Sequence, residues 1–163
     1  MDRVVAVGIG SNLGDRQSHI DYARARLQGL LTNLRLSSIH ETDPVAVPDS
    51  QPRYLNAVAV GASDASPREL LEQLLTIERE RGRQRPYLNA PRTLDLDLLL
   101  VGDTVAAESD LVLPHPRLTE RAFVLEPLAE VVPQWRHPAT GRTVEEMRDE
   151  LRRFPPSPST NRR

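Results

Sequence analysis

The chain has 163 residues, enough for one domain with a real core, and its 39% hydrophobic and 27% charged content fits a folded protein rather than a disordered one. A net charge of −2 speaks against a nucleic-acid backbone or an anionic membrane as a general partner. The chain has no Cys and no Lys, all 21 basic residues being Arg, which excludes disulfides, thiol catalysis, cysteine metal sites, Walker-type lysines and Schiff-base chemistry.

Met1-Asp2-Arg3 carries no signal-peptide pattern and no apolar run reaches membrane-spanning length, so a cytoplasmic protein is expected. Val4-Val5-Ala6-Val7-Gly8-Ile9 is apolar on both faces, as in a central strand. Gly8, Gly10 and Gly14 follow the spacing G-x-G-x-x-x-G, which is not the dinucleotide fingerprint, and they are read as letting the chain turn into a helix. Asp15 is the predicted cap, with Ile20, Ala23, Leu27, Leu30 and Leu31 as the buried stripe. Residues 34–42 alternate as a strand, with Leu34, Leu36, Ser38 and His40 on one face. A Pro-rich loop follows over 43–52, and residues 54–60 form the next strand. Ser66-Pro67-Arg68-Glu69 opens a helix with a cap, an N1 proline and a capping-box glutamate. Leu70, Leu71, Leu74, Leu75 and Ile77 form its apolar face, and Gly82 ends it. Glu78 falls near the negative end of that helix dipole, so an arginine partner is expected.

After a second loop over 83–91, Leu94, Leu96, Leu98 and Leu100 read as one face of a strand and Asp95 and Asp97 as the other. Residues two apart on a strand lie roughly 6–7 Å apart at Cα, so the two carboxylates can converge on divalent cations. The plain alternative is an acidic solvent face that protects an edge strand. The arginines at 79, 81, 83, 85 and 92 favour the first reading, because acid pairs for Mg²⁺ beside arginines for phosphate suit phosphoryl or pyrophosphoryl transfer. A solvated helix end remains the alternative for Arg79, Arg81 and Arg85. Downstream, the sequence predicts a hairpin pairing 104–106 with 111–113, a short helix over 124–132 broken at Pro127, and an amphipathic helix over 143–154. The element order is strand–helix–strand–strand–helix–strand. It predicts an α+β fold with a ferredoxin-like βαββαβ core and an added C-terminal hairpin and short helices. One domain is expected over 1–154, with a disordered polar tail over 155–163.

Ala90-Pro91-Arg92-Thr93-Leu94-Asp95-Leu96-Asp97 resembles the signature of the 6-hydroxymethyl-7,8-dihydropterin pyrophosphokinases. Gly10-Ser11-Asn12-Leu13-Gly14, Tyr54-Leu55-Asn56-Ala57, Glu78-Arg79-Glu80-Arg81-Gly82-Arg83, Leu113-Pro114-His115-Pro116 and Arg121-Ala122-Phe123-Val124 resemble that family too, in family order. The resemblance covers about residues 4–133. It implies a ferredoxin-like enzyme that binds two Mg²⁺ and transfers pyrophosphate from ATP to the pterin hydroxymethyl group, leaving AMP. Carried over residue by residue, it implies that Asp95 and Asp97 hold the metal, and that these two with Arg83 and Arg92 form the catalytic set. It implies an ATP site at Glu78, Arg83, Arg85, Arg92, Leu98, His115 and Arg121. It implies a pterin site at Thr42, Val45, Tyr54, Asn56, Asp95 and Phe123, with Tyr54 and Phe123 bracketing the flat ring. The implied partners are the two small substrates, with no nucleic acid and no membrane, and the implied state is a monomer.

The sequence departs from the family in places. Leu88-Asn89-Ala90 stands where relatives often carry Arg-Trp-Gly, the 83–91 loop is slightly short, and Asp43 precedes Pro44. A looser closure over the site is the expected consequence, with the loops over 42–53 and 83–91 ordering when both substrates are bound. Two other readings stay open from the residues: a metal-dependent phosphodiesterase or nuclease using the same acid pair, and a ferredoxin-like ligand-binding module without turnover.

Overall fold

The computed structural model describes residues 2–42, 53–82 and 93–155. The expectations placed on 43–52, 83–92 and 156–163 lie outside these residues, including those for Val45, Arg83, Arg85, Arg92 and most of the tail.

Strands β1 (Arg3–Ser11), β2 (Thr32–Leu36), β3 (His40–Thr42), β4 (Tyr54–Ser63) and β5 (Asp95–Val101) form one sheet, in which the main path runs β2-β4-β1-β5 and β3 pairs with β4. Every pairing is antiparallel. Helices α1 (Arg16–Gln28) and α2 (Pro67–Glu80) connect β1 to β2 and β4 to β5. Beyond β5 come the small pair β6 (Ala106–Glu108) and β7 (Leu111–Leu113), a 3-10 turn over Leu118–Glu120, and helices α3 (Ala122–Val131) and α4 (Val144–Arg153). The fold is therefore mixed α and β, built on an antiparallel sheet.

The caps follow their chemistry. Asp15 accepts a hydrogen bond from the Ser18 N–H, and Ser66 accepts one from the Glu69 N–H with Pro67 behind it at the first helical position. Thr143 and Glu146 form a complete capping box at the start of α4.

The sheet has two differently furnished faces. Val5, Val7, Ile9, Ala59, Leu96 and Leu98 pack with Ile20, Ala23 and Leu27 of α1 and Leu70, Leu74 and Ile77 of α2 in one continuous core. On the other face Ala6, Val58, Val60, Leu99 and Leu100 pack under Phe123, Val124, Leu125 and Leu128 of α3 and Val144 and Met147 of α4.

Several expectations are corrected. Gly8 and Gly10 lie inside β1, and the turn into α1 is made instead at Gly14, whose φ is +72°. Leu30 and Leu31 follow α1 rather than belonging to it, although both contribute to the core. The single strand over 34–42 is two strands. It breaks where the Ser37 hydroxyl accepts from the Val58 N–H and donates to the Ser38 carbonyl, a side chain standing in for ladder contacts. Leu100 sits on the face opposite Leu98. The β1–β5 register slips between Ala6 and Val7, so Leu99 is an extra residue and the alternation inverts beyond it. The first hairpin strand is Ala106–Glu108, two residues later than predicted. Pro127 does not break α3, which runs unbroken through Val131 with Pro127 buried. Packing on the sheet outweighs the lost intrahelical bond.

Candidate active site

The two acidic residues of β5 stand on the face that α3 and α4 cover at its far end. Asp95 is 2% exposed and Asp97 is half-buried. Cross-strand register fixes their neighbours. Asp95, Gly10 and Asn56 form one row across β5, β1 and β4, and Asp97, Gly8 and Val58 form the next. Directly opposed residues of an antiparallel pair point to the same side, so Asn56 faces the same space as Asp95. The strand between them contributes glycine in both rows, and nothing rises from β1 to divide that space. Two strand spacings separate Asn56 from Asp95, roughly 9–10 Å, a gap that admits a flat ring.

The amide side of the gap is prearranged. Thr42 Oγ1 accepts a 2.8 Å hydrogen bond from Asn56 Nδ2, and Thr42 lies opposite Tyr54, which is 6% exposed. Asn56 is itself 1% exposed, and the Thr42 hydroxyl holds its buried carboxamide in a fixed direction. Phe123 opens α3 on this same face, and the Arg121 guanidinium carbon stands 5.6 Å from its ring centroid. Tyr54, Asn56, Thr42, Phe123 and Asp95 thus belong to one face of the sheet, whereas Val45 lies outside the described residues.

A second space runs along the outer edge of β5. A cleft of about 270 Å³ is lined by Leu71, Leu96, Asp97, Leu98, residues 109–112, His115 and Pro116. It brings Leu98 and His115 into one cleft with Asp97. The His115 backbone N–H is tied to the Leu99 carbonyl at 2.8 Å, and its Nδ1 accepts from the Arg117 N–H at 3.2 Å.

Glu78 lies behind the acidic strand. It is 2% exposed on α2, and its Oε2 accepts a 2.7 Å hydrogen bond from the Leu96 N–H, between the two aspartates in sequence. Among the described residues that peptide group is one of its partners. A carboxylate on a buried N–H fixes the strand from its core side. Arg81 also departs from the solvated reading. Its Nε donates to His19 Nδ1 at 2.9 Å, its Nη2 donates to Ser18 Oγ at 3.1 Å, and its guanidinium lies 4.7 Å from the Tyr22 ring centroid. Burial first, and the Arg81 charge second, lower the His19 pKa.

Sequence reasoning missed Ser11 and Asn12, both fully buried at the end of β1, where Ser11 Oγ donates to the Thr93 carbonyl at the entry to β5. Their signal was present in Gly10-Ser11-Asn12, read there as a turn. Sequence reasoning also missed Gly8 and Gly10 as the floor of the site.

Among the described residues no group of three or more His, Asp or Glu is placed to hold a metal ion. The donor set nevertheless suits Mg²⁺, which commonly takes one or two carboxylates and completes its octahedron with phosphate oxygens and water.

Residues 6–133 match the family described as 7,8-dihydro-6-hydroxymethylpterin-pyrophosphokinase (HPPK). The chain is 42% identical over 142 residues to the 2-amino-4-hydroxy-6-hydroxymethyldihydropteridine pyrophosphokinase of Bacillus subtilis, covering 86% of this chain and 84% of that one. It is 39% identical over 145 residues to the protein of the same name in Pseudomonas aeruginosa, covering 88% of each. It is also 43% identical over 129 residues to the mitochondrial folate synthesis bifunctional protein of Arabidopsis thaliana, of which it spans only 23%. In fold it is similar to the Plasmodium falciparum HPPK-DHPS wild type, with a TM-score of 0.73 at 12% identity, over 94% of this chain and 46% of that one.

Proposed function

The chain belongs to the 7,8-dihydro-6-hydroxymethylpterin-pyrophosphokinase family, and from that membership we infer how its own residues carry out the reaction. It transfers pyrophosphate from ATP to 6-hydroxymethyl-7,8-dihydropterin in folate biosynthesis, so AMP leaves. The observation that carries the residue-level reading is the double row Asp95–Gly10–Asn56 and Asp97–Gly8–Val58.

In this reading the pterin lies over the glycines. Its amide-like edge meets the Asn56 carboxamide, held by Thr42, with Val45 adding a backbone contact and Tyr54 and Phe123 flanking the ring. That arrangement points the hydroxymethyl group toward Asp95. ATP occupies the edge cleft beside Leu98 and His115, with Glu78 bracing the strand and Arg121 at the mouth of α3. Arg83, Arg85 and Arg92 supply planar forks to the phosphates. Asp95 and Asp97 would hold two Mg²⁺, and the ions would supply charge stabilisation to the reacting phosphates. The pterin oxygen attacks the β-phosphorus in line, and the α-phosphate departs with AMP. In the same reading Asp95 orients the attacking hydroxyl and accepts its proton.

The strand order and the two crossover helices suit a ferredoxin-like core with the β6–β7 pair added after it. Residues 1–154 are read as one catalytic domain. The chain contributes both walls of the gap by itself, which suits a monomer. Among the described residues no helix is long and apolar enough to cross a membrane, and the cytoplasm is the proposed location.

The test is incubation with ATP, Mg²⁺ and the dihydropterin, followed by nucleotide chromatography. AMP in step with pterin diphosphate is expected, and ADP as the product overturns the assignment.

A further inference from the structure

β3 is a three-residue strand, and Thr42, the residue that orients Asn56, is its last. Three register pairs with β4 are a slender hold for a residue on which a binding site depends. The strand is strapped on both sides. On the α1 side, Glu41 takes Arg16 at 3.2 Å and Arg53 at 2.9 Å, and Arg16 also donates to the Arg53 carbonyl at 2.6 Å. On the site's side the strap comes from α3. Glu130 Oε1 accepts from the Ser38 N–H at 2.8 Å, both of its oxygens accept from Ser38 Oγ at 2.9 Å, and Oε2 lies 2.6 Å from His40 Nε2.

His40 stands directly opposite Asn56 in the β3–β4 register. Glu130 therefore holds the residue paired with Asn56 and the residue that leads into β3. Seven positions earlier on the same helix is Phe123, on nearly the same side and about 10.5 Å away along the axis. One rigid helix thus carries the aromatic wall of the gap at its start and the anchor of the polar wall near its end.

We propose that Glu130 is a positioning residue for the pterin: through Ser38 and His40 it sets β3, and with it the Thr42–Asn56 pair, at a fixed distance from Phe123. This rests on the pterin reading above. Burial pushes the Glu130 carboxyl up, but the Ser38 N–H, the His40 ring and the Ser38 hydroxyl together outweigh it and hold the carboxyl below its ordinary value. The anchor is therefore ionised throughout the neutral range.

The experiment measures kcat, KM for each substrate and thermal melting for Glu130→Ala, Glu130→Gln and Asn56→Ala in the full chain. Glu130→Ala is expected to raise the pterin KM about three- to tenfold, the equivalent of one misplaced hydrogen bond. KM for ATP and kcat stay as they were. Glu130→Gln recovers most of the loss, since its carbonyl still accepts from Ser38 and its amide reaches the His40 ring. An unchanged pterin KM in Glu130→Ala, with a raised one in Asn56→Ala, overturns the positioning role alone. A parallel rise in both KM values with a lowered melting point and no recovery in Glu130→Gln also overturns it, in favour of general support of the fold. An unchanged pterin KM in both Glu130→Ala and Asn56→Ala overturns the pterin reading and the proposal with it.

Discussion

The two faces of the sheet are built from the same strands and do different work. Toward α1 and α2 the face is closed from end to end by aliphatic side chains, from Val5 to Ile9 on β1 and from Leu94 to Leu98 into and along β5. Toward α3 and α4 the described residues close it at the Ala6–Val60–Leu100 end, and at the other end it presents glycine, carboxylate and carboxamide. The apolar face holds the strands in place, so the polar end can keep two like charges side by side at a fixed separation.

This contrast can be broken most severely from the polar end. Asp97→Ala is expected to lower kcat by on the order of 10²–10³ or more, because under the proposed reading a ligand to the reacting phosphates' metal is lost. Its melting temperature should hold or rise, since one of two like charges has gone. Near-normal turnover at saturating Mg²⁺ would show that the acid pair is not the metal site. The opposite pattern is expected one residue row away on the apolar face. Ile9 is 1% exposed, and Ile9→Ala should cost about 2–5 kcal/mol in a denaturant titration. Its KM values, measured well below the melting point, should be those of the parent. Altered pterin affinity at full folding would mean that the two faces are not mechanically separate. The mildest probe is Gly8→Ala. Its methyl would meet Leu99 at 3.6 and 3.7 Å and Asp97 Cβ at 3.8 Å, ordinary contacts that leave stability within about 1 kcal/mol. It would also raise the floor between Asp97 and Val58, and kcat/KM for the pterin should fall roughly tenfold. Unaltered kinetics would show that the site does not require a bare backbone at that position.

Local signals are legible in the chain. Caps at Asp15 and Ser66 depend on a side chain reaching a backbone group three residues on, and such signals are written in adjacent letters. The same holds for the alternation from Leu94 to Leu98, which set the leucines against α2 and turned both aspartates away. The failures have physical causes of equal clarity. Leu100 was assigned to the wrong face because a bulge belongs to the pairing of two strands and leaves no mark in either one alone. Pro127 was read as a breaker because propensity cannot weigh the burial that surrounds it in α3. Gly8 and Gly10 were read as a turn because glycine permits turning, whereas in β1 the absence of a side chain is what matters.

By itself, then, the sequence determined the alternation of strands and helices apart from the split into β2 and β3, the caps at Asp15 and Ser66, the acidic pair and, through its motifs, the family. Period, capping and motif spacing are interactions between near neighbours. Only the tertiary structure decided that Asn56 lies across Gly10 from Asp95, that Glu78 grips the Leu96 amide from behind, and that Glu130 reaches back some ninety residues to hold Ser38 and His40. These are pairings between segments far apart in the chain. Their partners are chosen by how the sheet closes its cores, and closure is a property of the whole fold.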